Sequence, residues 1–243
     1  MDNRTNIDYV LSTHDSVSTG TSRNFLSNVF AWMFLALLIS AISSLVFAFN
    51  PSLISMLMNM QTGSMSPLGM VIIFSPLAFV LIMSFGYNKL SFSALLILFL
   101  VYSAITGISL SFIFLAYTSS SIALTFGISA LTFGAMALTG YRTTTDLSKF
   151  GSIMRMLLFG LIIAMVANFF MHSSSLEYLI SFVGVAVFTG LTAYDVQRLK
   201  IMAEDGLTAG DSGRKLAVMG ALKLYLDFIN MFLFLLRLFG RRK

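Results

Sequence analysis

Seven stretches of this chain are each apolar for long enough to cross a bilayer, and that feature limits its fold more than any other. A crossing helix needs about 20 mainly apolar residues to span a hydrocarbon core of about 30 Å. The stretches run roughly Phe25–Phe49, Gly69–Tyr87, Phe92–Tyr117, Ile122–Gly140, Ile153–Met171, Leu176–Val196 and Leu216–Phe239. Unpaired backbone groups are too costly in lipid for anything but helices or a closed barrel, and the two-residue alternation of a barrel is absent. The expected fold is an all-α membrane protein of seven transmembrane helices. The chain is 57% hydrophobic and 10% charged, against about 25% charged in a soluble domain, so a soluble core has no way to hide these side chains. Gaps between the runs leave no room for a separate soluble domain. The expected division is a flexible polar N-terminal tail over 1–24, one transmembrane domain over 25–240 and a basic C-terminal tail over 241–243.

The tail contains Asp2, Asp8 and Asp15 and lacks the basic-then-apolar order of a cleavable signal peptide. Counting alternate sides, Arg4, Arg23, Lys89, Arg142, Lys149, Arg155, Arg198, Lys200, Arg214 and Lys215 fall on the side of the N-terminus, and the three opposite loops contain no Lys or Arg. The N-terminus is therefore expected to be cytoplasmic. Arg241, Arg242 and Lys243 oppose that rule, so the last run either crosses against a local charge penalty or re-enters; crossing is the expectation. The net charge of +5 is scattered and forms no nucleic-acid-binding patch. The absence of cysteine removes disulfides, thiolate catalysis and iron–sulfur clusters. Asn50-Pro51 and Ser66-Pro67 read as turn signals around the first loop. Pro76 removes the backbone bond to the Ile72 carbonyl and predicts a kink in the second run. Small residues at Ser103, Gly107 and Ser111, and at Ala186 and Gly190, allow close helix packing.

Of ten acidic residues, eight lie in the tail, the loops or at a loop edge, and only Asp195 and Asp227 fall within apolar runs. An ionised carboxylate at the bilayer centre costs at least about 2.5 to 3.5 kcal/mol on insertion scales, so such residues normally face protein or water and mark a functional path. Asp195 lies about 4.5 Å along a helix from Arg198, and Asp227 about 6 Å from Lys223, which sets the two carboxylates at similar depth on consecutive antiparallel runs. A loop of about 20 residues is expected between those runs. Two carboxylates in contact cannot both ionise cheaply and should share a proton. With the proton present the pair is a closed latch; without it, two hard oxygen ligands attract a cation, and calcium prefers such oxygens. Thr189, Thr192 and Asn230 are near enough in sequence to support the site, or simply to bond between helices. Lys223 lies one turn before Asp227 and can pair with it, or snorkel to the interface.

Gly190-Leu-Thr192-Ala-Tyr194-Asp195-Val-Gln197-Arg-Leu-Lys200 resembles the signature of the Bax-inhibitor family, and Leu224-Tyr-Leu-Asp227-Phe-Ile-Asn230 through Leu235-Leu-Arg237-Leu-Phe-Gly240 looks like its last helix. The resemblance implies six helices in two three-helix layers around a central C-terminal helix, and a pH-sensitive calcium leak gated by the paired aspartates. Family members also use a basic latch at the end of the second helix, where this chain offers Lys89, a point charge rather than a bidentate fork. The family's usual small or polar residue at position 223 is a lysine here, which is expected to move the pH range.

Calcium and protons are thus the expected partners, with the lipid bilayer; no cofactor is expected beyond calcium as transported ion, and no nucleic acid. An intramembrane hydrolase is disfavoured, because His14 and His172 lie away from the dyad and no G-x-S-x-G or H-E-x-x-H motif appears. The stronger rival is a membrane regulator that binds and restrains another membrane protein, such as a protease or a cell-death factor. A short tail without a retention signal points to a bacterial plasma membrane.

Overall fold

In a computed structural model of the chain, residues 3–59, 62–208 and 210–243 are described, with side chains from residue 23. The seven expected spans are seven long helices: α1 (Asn3–Ala48), α3 (Pro67–Gly86), α4 (Phe92–Leu110), α6 (Ser119–Arg142), α7 (Ser148–Met171), α8 (Ser174–Glu204) and α9 (Gly210–Phe239). Two short helices, α2 (Pro51–Leu57) and α5 (Ile113–Ala116), lie in connections. The apolar part of α1 begins at Arg23; the tail expected over 1–24 lies, but for its last two residues, outside the described side chains.

The presumed turn signals are helix starts. Asn50 accepts from the amides of Ser52 and Leu53 at the head of α2, and the Ser66 hydroxyl accepts from Gly69 N at 3.0 Å at the head of α3, each with proline at the first helical position. Proline is tolerated there because its missing N–H would have had no partner in any case. Ser91, Thr118 and Ser173 cap α4, α6 and α8 in the same manner. Inside α3, Pro76 frees the Ile72 carbonyl, and the Ser109 hydroxyl donates to it from α4 at 2.9 Å. That cross-helix bond satisfies a backbone acceptor that lipid could not.

Helix α9 is the most buried of the spans and packs against α8, α1, α6 and α4. Helix α3 packs on α4 and α2, and α7 packs on α8. This arrangement is consistent with a central C-terminal helix. The α8–α9 register is antiparallel throughout: Leu199 lies against Gly220, Asp195 against Lys223, Thr189 against Met231 and Gly184 against Phe234. The loop joining them occupies only the residues between Glu204 and Gly210, not about 20. Both helices run well past their apolar cores, because polar residues such as Gln197, Arg198, Lys200 and Lys215 are good helix formers and the hydropathy boundary is not the helix boundary.

The end carrying the α3–α4, α6–α7 and α8–α9 connections is called the loop end below, and the opposite one the tail end. Helix α9 crosses fully. At the tail end the last residues pair with the α4–α6 connection and with α8: Thr118 N donates to Arg241 O at 3.0 Å and Lys243 N to Ala116 O at 3.0 Å, while the Arg242 guanidinium meets Glu177 of α8 at 3.5 Å.

Close backbone approaches set the helix spacing. A methyl group at Gly107 would collide with the Ser40 carbonyl of α1, whereas at Gly127 it would meet nothing. Gly107→Ala is therefore expected to lower the unfolding midpoint in detergent, by about 1–3 kcal/mol in free energy as an overpacked contact. Gly127→Ala should leave the midpoint unchanged or raise it, since alanine is the better helix former. Equal behaviour of the two variants would refute the close α1–α4 packing.

Candidate functional site

Every residue from Gly190 to Gln197 is buried, because α6, α7 and α9 all converge on this part of α8. A methyl group at Gly140 of α6 would strike the Ala193 carbonyl, and one at Gly151 of α7 would strike the Tyr194 ring. The Gln197 side chain holds the α6–α7 loop with two bonds: its amide donates to Thr145 O at 2.7 Å, and its carbonyl accepts from Leu147 N at 2.8 Å. In that loop Asp146 accepts from Ser148 N at 2.8 Å; the side chain and then the amide of Ser148 hold its carboxyl below the usual range.

Within this frame Asp195 is 1% exposed and Asp227 4% exposed, and the two line the same cavity with Lys223. One oxygen of each, Oδ2, is buried with no hydrogen-bond partner among the described residues. Buried polar atoms are rarely left so. The other Asp195 oxygen, Oδ1, accepts from Lys223 Nζ at 2.6 Å. This differs from the pairing that spacing along α9 suggests, in which Lys223 would meet Asp227. The antiparallel register sets Lys223 directly across from Asp195, and the cross-helix contact is closer than the one along the helix. Lys223 does not leave for the interface, although its side chain is 43% exposed.

The other expected residues are placed as follows. Thr192 donates to Phe188 O at 2.8 Å and Asn230 to Leu226 O at 2.8 Å, each within its own helix. Thr189 contacts the Met231 sulfur at 3.5 Å. Lys89 is exposed on the turn after α3 and makes no ion pair among the described residues. Among the described residues no three His, Cys, Asp or Glu side chains gather closely enough to hold a metal.

Two cavities share Asp195, Lys223 and Leu226 in their walls. One, of about 310 Å³, lies toward the loop end and is lined by Ser84, Asp195, Arg198, Met202, Met219 and Lys223 among others. The second, of about 450 Å³, runs toward the tail end past Asp195, Lys223, Asp227, Asn230 and Arg237. A third, smaller one continues from Arg237 to Glu177.

Sequence reasoning missed Arg155. It lies two turns inside α7, where its guanidinium donates to the Tyr194 hydroxyl at 2.9 Å and covers the ring at 5.2 Å; Lys223 Nζ lies 5.6 Å from the same ring. The signal was an arginine two residues into an apolar run, which had been counted only for topology.

The family whose model describes an inhibitor of apoptosis-promoting Bax1 matches residues 22–243. The chain belongs to the Bax inhibitor family. It is 43% identical over 222 residues to the inner membrane protein YbhL of Escherichia coli, covering 91% of this chain and 93% of that protein. An uncharacterized protein of Borreliella burgdorferi is 46% identical over 219 residues, with 90% and 92% covered. An uncharacterized membrane protein of Streptococcus pyogenes serotype M6 is 36% identical over 236 residues, with 96% and 98% covered. The chain is thus an integral membrane protein of this family, and the match spans both aspartate motifs.

Removing the lysine tests the charge arrangement. Lys223→Met leaves a buried carboxylate without its cation, which costs about 3–5 kcal/mol for a fully buried pair and about 1–3 kcal/mol here, where solvent screens the lysine. Lys223→Met should therefore lower the unfolding midpoint in detergent, and an unchanged midpoint would contradict the pairing.

Proposed function

We propose that this Bax inhibitor family protein is a pH-sensitive cation leak, calcium being the expected ion, in which the Asp195–Asp227 pair is both proton sensor and gate. The supporting observation is the position of the pair: it stands where the loop-end and tail-end cavities share Asp195 and Lys223, so an ion moving between them passes the carboxylates.

Charge balance gives the direction. With one proton shared, two carboxylates and one ammonium sum to zero, and the proton gives a buried oxygen a donor. Release of that proton leaves one net negative charge in a low-dielectric place, which an incoming cation neutralises. Two carboxylate oxygens with waters form a weak calcium site, and weak binding suits passage better than retention. Lys223 acts as a tethered cation that holds Asp195 in the resting state and competes with the ion for it. Lys89 at the loop end is a candidate second latch; it would have to swing from its exposed turn to reach the cavity mouth. We assign the protein to a bacterial plasma membrane, with the basic loop end cytoplasmic by the positive-inside rule; the inner-membrane description of YbhL supports the location.

The test is calcium entry into dye-loaded liposomes that contain this protein alone. Flux should rise steeply with pH as the shared proton leaves. Asp195→Asn and Asp227→Asn should flatten the response, and Lys223→Gln, which removes the internal counter-charge, should move its midpoint. Equal, pH-independent flux in wild type and all variants would refute the leak and favour a protein that restrains a membrane partner.

A further inference from the structure

Helix α9 is buried along nearly its whole length except for one stripe. From Leu216 on, the residues short of full burial are Leu216, Met219, Lys223, Leu226, Asn230 and Leu233, ending at the exposed last turn with Arg237. Their spacing of three and four residues puts them on one face, and that face floors the two larger cavities. Its walls are α3, through Val80 and Ser84, and α7, through Arg155, Leu158, Ile162 and Met165. Helix α3 packs on α4 and α7 on α8, so neither closes over α9. Both walls present exposed apolar side chains on their outer surfaces, among them Leu77 and Leu81 on α3 and Phe159 and Ile163 on α7. The groove therefore opens sideways at the depth of the hydrocarbon.

Its charges are not those of a cation site alone. Arg155, Arg198, Lys223 and Arg237 line it against Asp195 and Asp227. Arg155 and Lys223 flank the single ring of Tyr194, while Arg198 shares the loop-end cavity with Lys223. Arg155 and Arg198 have no carboxylate partner among the described residues. Arg155 lies about 10 Å into α7, and Arg198 about 4.5 Å nearer the loop end than Asp195. Lys223 lines both cavities, with Arg198 beside it in the loop-end one and Arg155 in the tail-end one, so the three cations gather about the place where an apolar slot begins. From Lys223 the slot continues about 21 Å along α9 to Arg237, which exceeds the roughly 15 Å half-thickness of the hydrocarbon core and so accommodates an acyl chain of one leaflet.

We propose that this groove binds one anionic phospholipid from the loop-end leaflet, its phosphate on Arg155, Arg198 and Lys223 and an acyl chain along Leu158, Ile162, Leu226 and Leu233. A zwitterionic lipid brings a cation of its own to three cations and is disfavoured. The site shares Lys223 and both cavities with the proposed leak, so a seated acyl chain and a passing ion exclude each other there, but lipid binding does not rest on that reading.

The test has no flux readout. Full-length protein is taken from vesicles of equal phosphatidylglycerol and phosphatidylcholine, and the lipid retained is counted by native mass spectrometry. Wild type should keep one phosphatidylglycerol in preference to phosphatidylcholine. Arg155→Gln with Arg198→Gln should weaken that retention about 25-fold, at about 1 kcal/mol for each basic side chain near an anionic headgroup. Arg142→Gln with Lys149→Gln, which removes charges at the same end outside the groove, should leave it intact. Leu226→Trp, which fills the chain slot and keeps every cation, should also reduce it, and so separates loss of the site from misfolding of the arginine variant. Excess inorganic phosphate should not displace the lipid. No preference in wild type, equal losses in the two double variants, full retention in Leu226→Trp or displacement by phosphate would each overturn the proposal.

Discussion

Two carboxylates sunk in hydrocarbon must find partners, and most of this structure can be read as the means of giving them some. Asp195 and Asp227 lie about one turn apart along the antiparallel contact of α8 with α9, each buried between its own helix and its neighbours. The lysine across from Asp195 supplies one bond, and the second carboxyl group lines the same cavity. Removing either helix face would leave an unpaired charge whose cost exceeds the typical strength of any single packing contact. The site and the α8–α9 interface therefore depend on each other, and the short loop between the helices keeps that register in place.

The rest of the bundle holds this interface by small-residue contacts and by a few polar bonds. On the side away from the aspartates, the Ser40 hydroxyl bonds the Ser103 carbonyl and the Tyr225 hydroxyl, each at 2.7 Å, and so ties α1 and α4 to α9. Tyr225 in turn stands edge-on to Phe99 and Tyr102. On the other side Gly140 and Gly151 let α6 and α7 approach the backbone and the ring next to Asp195. Helix α9 is thus gripped on three sides, and the fourth is left as a groove. Gripping a helix so firmly while leaving one stripe uncovered is a packing choice that lipid alone does not require.

Much of this was legible in the sequence, for physical reasons that also explain what was not. Seven apolar runs can be read directly because bilayer thickness fixes the length of a crossing helix. The similar depth of the two aspartates followed from their spacing to Arg198 and Lys223. The partner of Lys223 did not follow, since spacing along one helix is silent about what faces it, and Asp195 across the interface proved closer than Asp227 below. The ends of α8 and α9 were also hidden, because hydropathy marks where the membrane stops rather than where the helix does. Arg155 looked like a topology marker and proved to be a neighbour of Tyr194. The α9 groove was beyond reach for a different cause: it exists because α3 packs on α4 and α7 on α8 without either covering α9, a relation among helices that no single run encodes.

A lysine beside a carboxylate pair changes what such a pair can do. Without it, the two acids carry charge −2 once deprotonated, a state so costly in a low dielectric that the proton and any divalent ion compete for the same place. With Lys223 present the deprotonated state carries −1, so the proton is released with less penalty and the ion that replaces it is held less firmly. The same side chain is 43% exposed and lines both cavities of the lateral groove, with Arg155, Arg198 and Asp227 among the charged residues there. Lys223 therefore stands between an acidic floor and a basic mouth, and it cannot serve both at full strength. On the proposed reading, an anion in the mouth would draw the ammonium from Asp195, and the groove and the carboxylate pair would then be coupled through one flexible side chain, with no movement of a helix required.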